Sequence, residues 1–219
     1  MASLLETLRY ERKYFTLDYS AEDLEQFVLA NPAVFRSQYY PRRVCSIYFD
    51  TPNLDYYALN VIGSADRKKV RVRWYEHDDK LSDLQLEVKL KRGELSRKEV
   101  RPLQGKISDY DLQELASKVR QVLKPVLAES DLLVPVVTNS YLRRYFYSND
   151  AAVRATVDSE LEFRPAEVWE RGGRPHYLPA TILECKYAVD QDKVISEVAQ
   201  GFPLKATKSS KYLMGVESI

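Results

Sequence analysis

Cysteine is scarce in this chain: Cys45 and Cys185 are the only two among 219 residues. Each lies in an apolar, strand-like run, where a buried free thiol is expected. No Cys/His spacing matches a zinc site, which excludes the common structural-zinc folds. No apolar run approaches the ~18 residues a membrane-spanning helix needs, and the N-terminal MASLLETLRYERKY has no apolar signal region. A soluble, cytoplasmic protein is expected. Excess charge of one sign is missing too. Lys+Arg number 33 and Asp+Glu 32, a net charge of +1. A general nucleic-acid binder carries more basic excess, and no nucleic-acid motif is present. Long linkers, low-complexity tracts and repeats of 20–50 residues are absent as well. The length and a hydrophobic content of 45% fit one domain, residues 1–219, with a real core.

What the chain does have is charge on alternate positions of strand-like runs. Lys69, Arg71 and Arg73 alternate in KVRVRWY, and Glu87, Lys89 and Lys91 in LQLEVKLK. Glu184 and Lys186 do so in ILECKY, and Glu11 and Lys13 in RYERKYF. Residues i and i+2 of a strand share a face. Each run therefore puts its charges on one face and Val, Leu, Ile or Trp on the other. A single such strand would simply show its charge to water. A whole set, rich in Arg, whose planar fork suits phosphate oxygens, implies a surface that holds something highly anionic. With the net charge balanced, that surface must come from local segregation. The acidic loops EHDDKLSD, YSND and VDQD offset it.

Strands are expected at 7–17, 43–50, 67–76, 83–91, 96–103, 134–147, 152–163 and 182–189. Helices are expected at 21–31, capped by Ser20 with Asp23, and from Thr51-Pro52 through 60. Further helices are expected at 108–128, ending or bending at Pro125, at 192–200 and over SSKYLMGV. A loop is expected around Arg171, Gly172, Gly173 and Pro175. Trp74 should pack on the apolar side, and His77 and His176 should be exposed. Asp158, four residues after Arg154, is placed to orient it.

The segments Lys13-Tyr14-Phe15, SIYFDTPNLDYY, RVRWYE, LEVKLKRG, YLRRYF, VRATVDSEL, ILECKY and KSSKYLMGV, in this order, span nearly the whole chain. Together they resemble the catalytic domain of the vacuolar transporter chaperone (VTC) polyphosphate polymerases, within the CYTH or triphosphate tunnel superfamily. The resemblance implies an α+β fold, an antiparallel eight-stranded tunnel barrel flanked by helices. It implies transfer of the γ-phosphoryl group of ATP to a growing polyphosphate chain with Mn²⁺ or Mg²⁺, so ATP and inorganic polyphosphate are the expected partners.

Carried across, Lys13, Arg71, Arg73, Lys89, Arg143, Arg154, Lys186 and Lys211 become phosphate-binding residues of the reaction. Lys98, Tyr141, Lys208 and Ser210 become further substrate contacts. Glu184 becomes the metal carboxylate, with Glu87 and Glu11 as helpers. Tunnel triphosphatases often open with ExExK, but the first position here is Arg9, which weighs against a two-metal hydrolase. The SPX domain and membrane helices of the fungal proteins are not in this sequence, so the resemblance speaks for the catalytic domain. Two alternatives stay open: a metal-dependent tripolyphosphatase or nucleoside triphosphatase, and a non-catalytic polyphosphate-binding module.

Overall fold

Strand and helix alternate in a way that segregates charge from apolar surface. The computed structural model describes residues 9–77, 80–81, 83–93, 95–168, 173–188 and 192–219. Its strands are β1 (Arg9–Thr16), β2 (Arg36–Asp50), β3 (Arg67–His77), β4 (Lys80–Leu81), β5 (Leu84–Arg92), β6 (Leu95–Leu103), β7 (Val134–Tyr147), β8 (Val153–Pro165), β9 (His176–Leu178) and β10 (Thr181–Ala188). The α-helices are α1 (Ala21–Leu29), α2 (Asp55–Val61), α3 (Leu112–Leu123), α4 (Asp192–Gln200) and α5 (Lys211–Glu217). The architecture is α+β. Eight strands are hydrogen-bonded in the order β1-β10-β8-β7-β2-β3-β5-β6, with β4 on β3 and β9 on β8. The pairs β1–β10, β10–β8, β2–β3, β3–β5 and β5–β6 are all antiparallel. No helix among the described residues is long and apolar enough to cross a membrane.

The chain divides into two compact units, and β2, β7 and β8 contribute to both. The first holds the chain up to Arg42 with Tyr141–Leu161 and Leu178–Ser209. Its core joins Leu24 and Val28 of α1, Ile195 and Val198 of α4, and the apolar parity of β8 and β10: Val153, Ala155, Val157, Leu183 and Cys185. Helix α1 starts as expected. Ser20 Oγ accepts from Asp23 N at 3.1 Å, and Asp23 Oδ2 accepts from Ser20 N at 2.8 Å. Cys185 is buried, which pushes its thiol up to about 12 and makes it inert.

The second unit holds Arg43–Ser140, Glu162–Tyr177 and Ser210–Ile219. Here α3 lays Leu115, Ala116, Val119 and Leu123 on Val70, Val72 and Trp74 of β3 and Leu84, Leu86 and Val88 of β5. Trp74 is thus in the apolar core, as its parity required. Cys45 is buried in the same core, and burial raises its thiol.

Several boundaries differ from expectation for local reasons. Helix α3 begins at Leu112, not 108, because Asp111 caps it: Oδ1 accepts from Glu114 N at 2.8 Å. Residues 107–109 form a 3₁₀ turn before it. Helix α2 begins at Asp55, not at Thr51-Pro52. The buried carboxylate of Asp50 accepts from Thr51 N, Tyr56 N and Tyr57 N at 2.7–2.8 Å, capping the helix from outside it. The chain must turn back to reach that carboxylate, and Leu54 does so at φ 57°. A branched residue there is strained by about 1 kcal/mol or more, and the Asp50 network holds it.

Strand β2 runs seven residues further toward the N-terminus than the expected 43–50. Its exposed end is held by a stack in which the Arg42 guanidinium lies 4.8 Å from the Tyr39 ring and 5.9 Å from the Tyr145 ring. His176 is exposed, as expected. Arg171, Gly172 and the side chain of His77 lie outside the described residues.

Candidate functional site

In the first unit, residues opposite one another in antiparallel register share a face. Lys13 of β1 is the register partner of Glu184 in β10, and Glu11 is the partner of Lys186. On the other side of β10, Lys186 is opposite Arg154 and Glu184 opposite Thr156 of β8. The charged parity therefore collects on one face of three strands. Glu184 is its buried centre, and it pairs with Lys186 of its own strand. Lys186 Nζ lies 2.7 Å from Oε1, and Lys13 Nζ lies 3.4 Å from Oε2. Lys13 Nζ also sits 2.6 Å from Glu11 and donates to the Ser209 carbonyl at 3.3 Å.

Burial alone would raise the Glu184 carboxyl, but Lys186, Lys13 and Arg143 outweigh it and hold it well below the usual range. Burial likewise opposes the charge on Lys13, and Glu184 and Glu11 reverse that, raising its ammonium. Asp158, expected to orient Arg154, instead grips Arg143 of β7 as a fork: Nε–Oδ1 2.6 Å and Nη2–Oδ2 2.7 Å. Spacing along one strand misses this because the partner comes from another. Tyr141 is buried, with the Arg143 guanidinium 5.2 Å from its ring centre, so it supports that arginine. Arg154 is exposed, its guanidinium 5.2 Å from the Tyr147 ring centre, and Lys208 is exposed.

The second unit has a different balance. Strand β3 presents Arg67, Lys69, Arg71 and Arg73 on one face, opposite Lys91, Lys89, Glu87 and Gln85 of β5 in that order. Lys98 of β6 is opposite Lys89. That is seven cations on three strands against one carboxylate. Glu87 is buried, and its oxygens are taken by Arg71 Nη2 at 2.6 Å, Arg73 Nη2 at 2.7 Å and Lys98 Nζ at 3.1 Å. Burial pushes its carboxyl up, but Arg71, Arg73 and Lys98 prevail and hold it at about 2. Lys98 feels burial most, and its ammonium is lowered despite Glu87.

Arg73 Nε is buried without a hydrogen-bond partner, and so is the hydroxyl of Ser46, its register partner in β2. Such groups cost about 1–3 kcal/mol each while unsatisfied.

Helix α5 closes on this unit from the charged side. The Tyr212 ring stacks on Tyr48 at 5.1 Å, and its hydroxyl donates to the buried Asp50. A Cβ on Gly215 would come within 2.8 Å of Phe163, so only glycine allows this approach. The docking brings Ser210 to Lys69, whose Nζ donates to Oγ at 2.8 Å, while Ser210 also caps α5 through Leu213 N at 3.5 Å. Lys211 is the first residue of the helix. Sequence reasoning passed over Asp50 and Tyr212 as site-building residues, and placed Lys69 on the charged face without counting it among the substrate contacts. The signal for the first two lay in SIYFDTPNLDYY and KSSKYLMGV, whose contact is tertiary. That for Lys69 lay in its parity with Arg71.

The donor chemistry of Glu184 fits a hard divalent cation, which prefers oxygen ligands. Glu11 offers a second carboxylate, bonded to the same Lys13. No three His, Cys, Asp or Glu side chains form a metal-holding group among the described residues. Glu87 is held at 2.6–3.1 Å by two arginines and a lysine, whereas the ion pairs of Glu184 are with two lysines, the longer of them at 3.4 Å.

A family model described as "VTC domain" matches residues 7–219. Among solved structures, a protein from Hippeastrum, HpAC1, matches over 96% of this chain and 96% of its own. It was proposed as an adenylyl cyclase and is described as having a dominant triphosphatase activity. The TM-score is 0.62 at 15% sequence identity, so the likeness shows a shared fold. No curated protein sequence matches the chain.

Proposed function

The chain belongs to the VTC domain family, and on that premise we propose that it is a polyphosphate polymerase. ATP donates its γ-phosphoryl group to the terminal oxygen of a polyphosphate chain. One P–O bond forms to the chain, the β–γ bridge bond breaks, and ADP leaves with the bridging oxygen. The observation that carries the reading is the excess of cations on β3, β5 and β6, seven against Glu87 alone. Such a surface attracts a dense anion, and phosphoryl transfer needs chiefly positioning and charge neutralisation.

In this reading Arg71 and Arg73 are held in place by Glu87 and grip the transferring phosphates, with Lys89 and Lys98 beside them. Glu87 acts as the positioning carboxylate for the arginines. Lys211 and Ser210 contribute at the start of α5. In the first unit, Lys13, Lys186, Arg143 and Arg154 hold phosphate, and Lys208 attracts it from solvent. Glu184 and Glu11 would hold Mn²⁺ or Mg²⁺, which would supply positive charge to neutralise phosphate oxygens. The acceptor is already anionic, so no strong general base is required. Residues 1–219 act as one catalytic domain.

A second reading follows from the triphosphatase activity described for the Hippeastrum protein: the same residues with water as acceptor. One assay separates the two. Purified protein is given ATP and Mn²⁺, and ADP, free phosphate and long-chain polyphosphate are read separately. ADP matched by polymer supports the polymerase. ADP matched by free phosphate replaces it with a phosphohydrolase. No turnover with tight polyphosphate binding replaces both with a binding module. Arg73→Ala should lower turnover at least ~100-fold, the scale of one removed transition-state donor, with the melting temperature retained.

A further inference from the structure

The second unit holds a cavity of about 230 Å³ on the side of the sheet away from its cationic face. Arg43 and Cys45 of β2 line it together with their register partners in β3, Glu76 and Trp74. These residues have the parity opposite to Arg71 and Arg73, so they face the other way. Asn139 of β7 and Glu162 and Arg164 of β8 add to the polar lining. The polar contacts here are slack. Glu162 Oε1 lies 3.8 Å from Arg43 Nη1 and Oε2 lies 3.5 Å from Arg164 Nη2, against 2.6–2.7 Å in the Arg143–Asp158 fork. Charge-assisted pairs close to about 2.7–2.9 Å when nothing holds them apart. The Nε of Arg164 and both amide atoms of Asn139, Nδ2 and Oδ1, are buried without a hydrogen-bond partner. Polar groups left so are costly, and here they belong to residues around one space.

We propose that this cavity binds a small, neutral, free α-amino acid. Among the described residues its lining carries two guanidinium groups, Arg43 and Arg164, and two carboxylates, Glu76 and Glu162, with no net charge. A polyphosphate or a dicarboxylate would set negative charge against the two glutamates. A diamine would set positive charge against the two arginines. A zwitterion matches both: its carboxylate suits a planar guanidinium fork, and its ammonium suits a glutamate. The Asn139 amide has donors for one end and an acceptor for the other. The volume is that of about seven or eight waters at roughly 30 Å³ each, which limits the ligand to about the size of alanine, serine or valine. Cys45 and Trp74 supply an apolar part of the lining that a short side chain can cover. None of these residues belongs to the cationic face, so the site stands or falls apart from phosphate binding.

The test titrates the whole chain calorimetrically with alanine, serine and valine, and with the amide and the N-acetyl derivative of each, which lack one charge. Glycerol and inorganic tripolyphosphate are titrated alongside. The same ligands are given to Glu162→Gln, Arg164→Gln and the cavity-filling Ser140→Leu. At least one of the three amino acids should bind the wild type. Its two derivatives, and the three variants, should show affinity lower by about tenfold or more, the scale of one lost charge-assisted hydrogen bond. Tripolyphosphate affinity should be the same in wild type and variants. Failure of all three amino acids to bind at about 10 mM, where even a ~1 mM site is mostly filled, would overturn the proposal. Equal binding of the derivatives would overturn it too, since the cavity would not be reading a zwitterion. So would binding of glycerol in place of the amino acids, which would make this a polyol site. Loss of tripolyphosphate binding in Ser140→Leu, with the melting temperature retained, would assign the cavity to the phosphate site instead. The derivatives are read on the wild-type chain, so the test decides even where a variant fails to fold.

Discussion

The two units build their charged faces from the same strand grammar and reach opposite electrostatic states. In the first, Lys13, Lys186, Arg143 and Arg154 are set against Glu11, Glu184 and Asp158, and the ion pairs close on one another at 2.6–3.4 Å. In the second, seven cations have one carboxylate, Glu87, which three of them share. The first face is therefore largely self-neutralised. The second is left with an excess of positive charge. Alternating charge along a strand does not by itself distinguish the two. What distinguishes them is which strand lies opposite which.

The comparison breaks first at Asp158. It is fully buried under the Arg143 fork, and Asp158→Ala should cost about 3–5 kcal/mol, as breaking a buried pair strands the remaining charge. Urea unfolding with and without polyphosphate checks this. A loss below 1 kcal/mol would mean the first unit is not self-neutralised.

Next comes Glu87. Its folded carboxyl lies near 2, below its ordinary 4.5, so it stabilises the fold at pH above about 4.5. That stability should drain as pH falls from about 4.5 toward 2, and Glu87→Gln should lose it at neutral pH. The mutant's melting temperature should flatten across this window, and tripolyphosphate should raise it more than in wild type. A mutant as pH-sensitive there as the wild type would remove Glu87 from its role.

Tyr212→Phe is expected to cost about 1–3 kcal/mol, because it leaves Asp50 short of one buried donor. Differential scanning calorimetry reads it, and a neutral result would detach α5 from the Asp50 network. Lys89→Ala closes the series. It should change ligand-free stability by less than about 0.5 kcal/mol, or raise it, since the side chain is exposed and lies between two like charges. A clear loss would show that the second face is not under repulsion.

Much of this was legible in the residues. The alternation in KVRVRWY and LQLEVKLK placed Arg71, Arg73, Glu87 and Lys89 on one parity and Trp74, Leu86 and Val88 on the other, and the packing keeps that division. The Ser20–Asp23 cap and the ends of β7 and α4 followed from local signals. The long exposed end of β2 was not legible, since SQYYPRR has neither apolar alternation nor a strand's usual avoidance of proline. The start of α2 was misplaced because Pro52 looks like a first helical residue, while the actual cap, Asp50, lies five residues before Asp55.

By itself the sequence determined where the main apolar-and-charged strands lie, which face of each carries charge, and that the charge is rich in Arg and Lys. These are short-range properties, set by a period of two and by the chemistry of neighbours in the chain. Only the tertiary structure decided the partners. It gave Asp158 to Arg143, placed Lys69, Lys89 and Lys98 side by side, put Asp50 beneath Tyr212, and surrounded Glu87 with three cations. The reason is that register across strands, and the docking of α5 through Gly215, depend on packing between segments far apart in the chain. A carboxylate pairs with lysines, as Glu184 does, or clamps arginines, as Glu87 does, according to what that packing brings beside it.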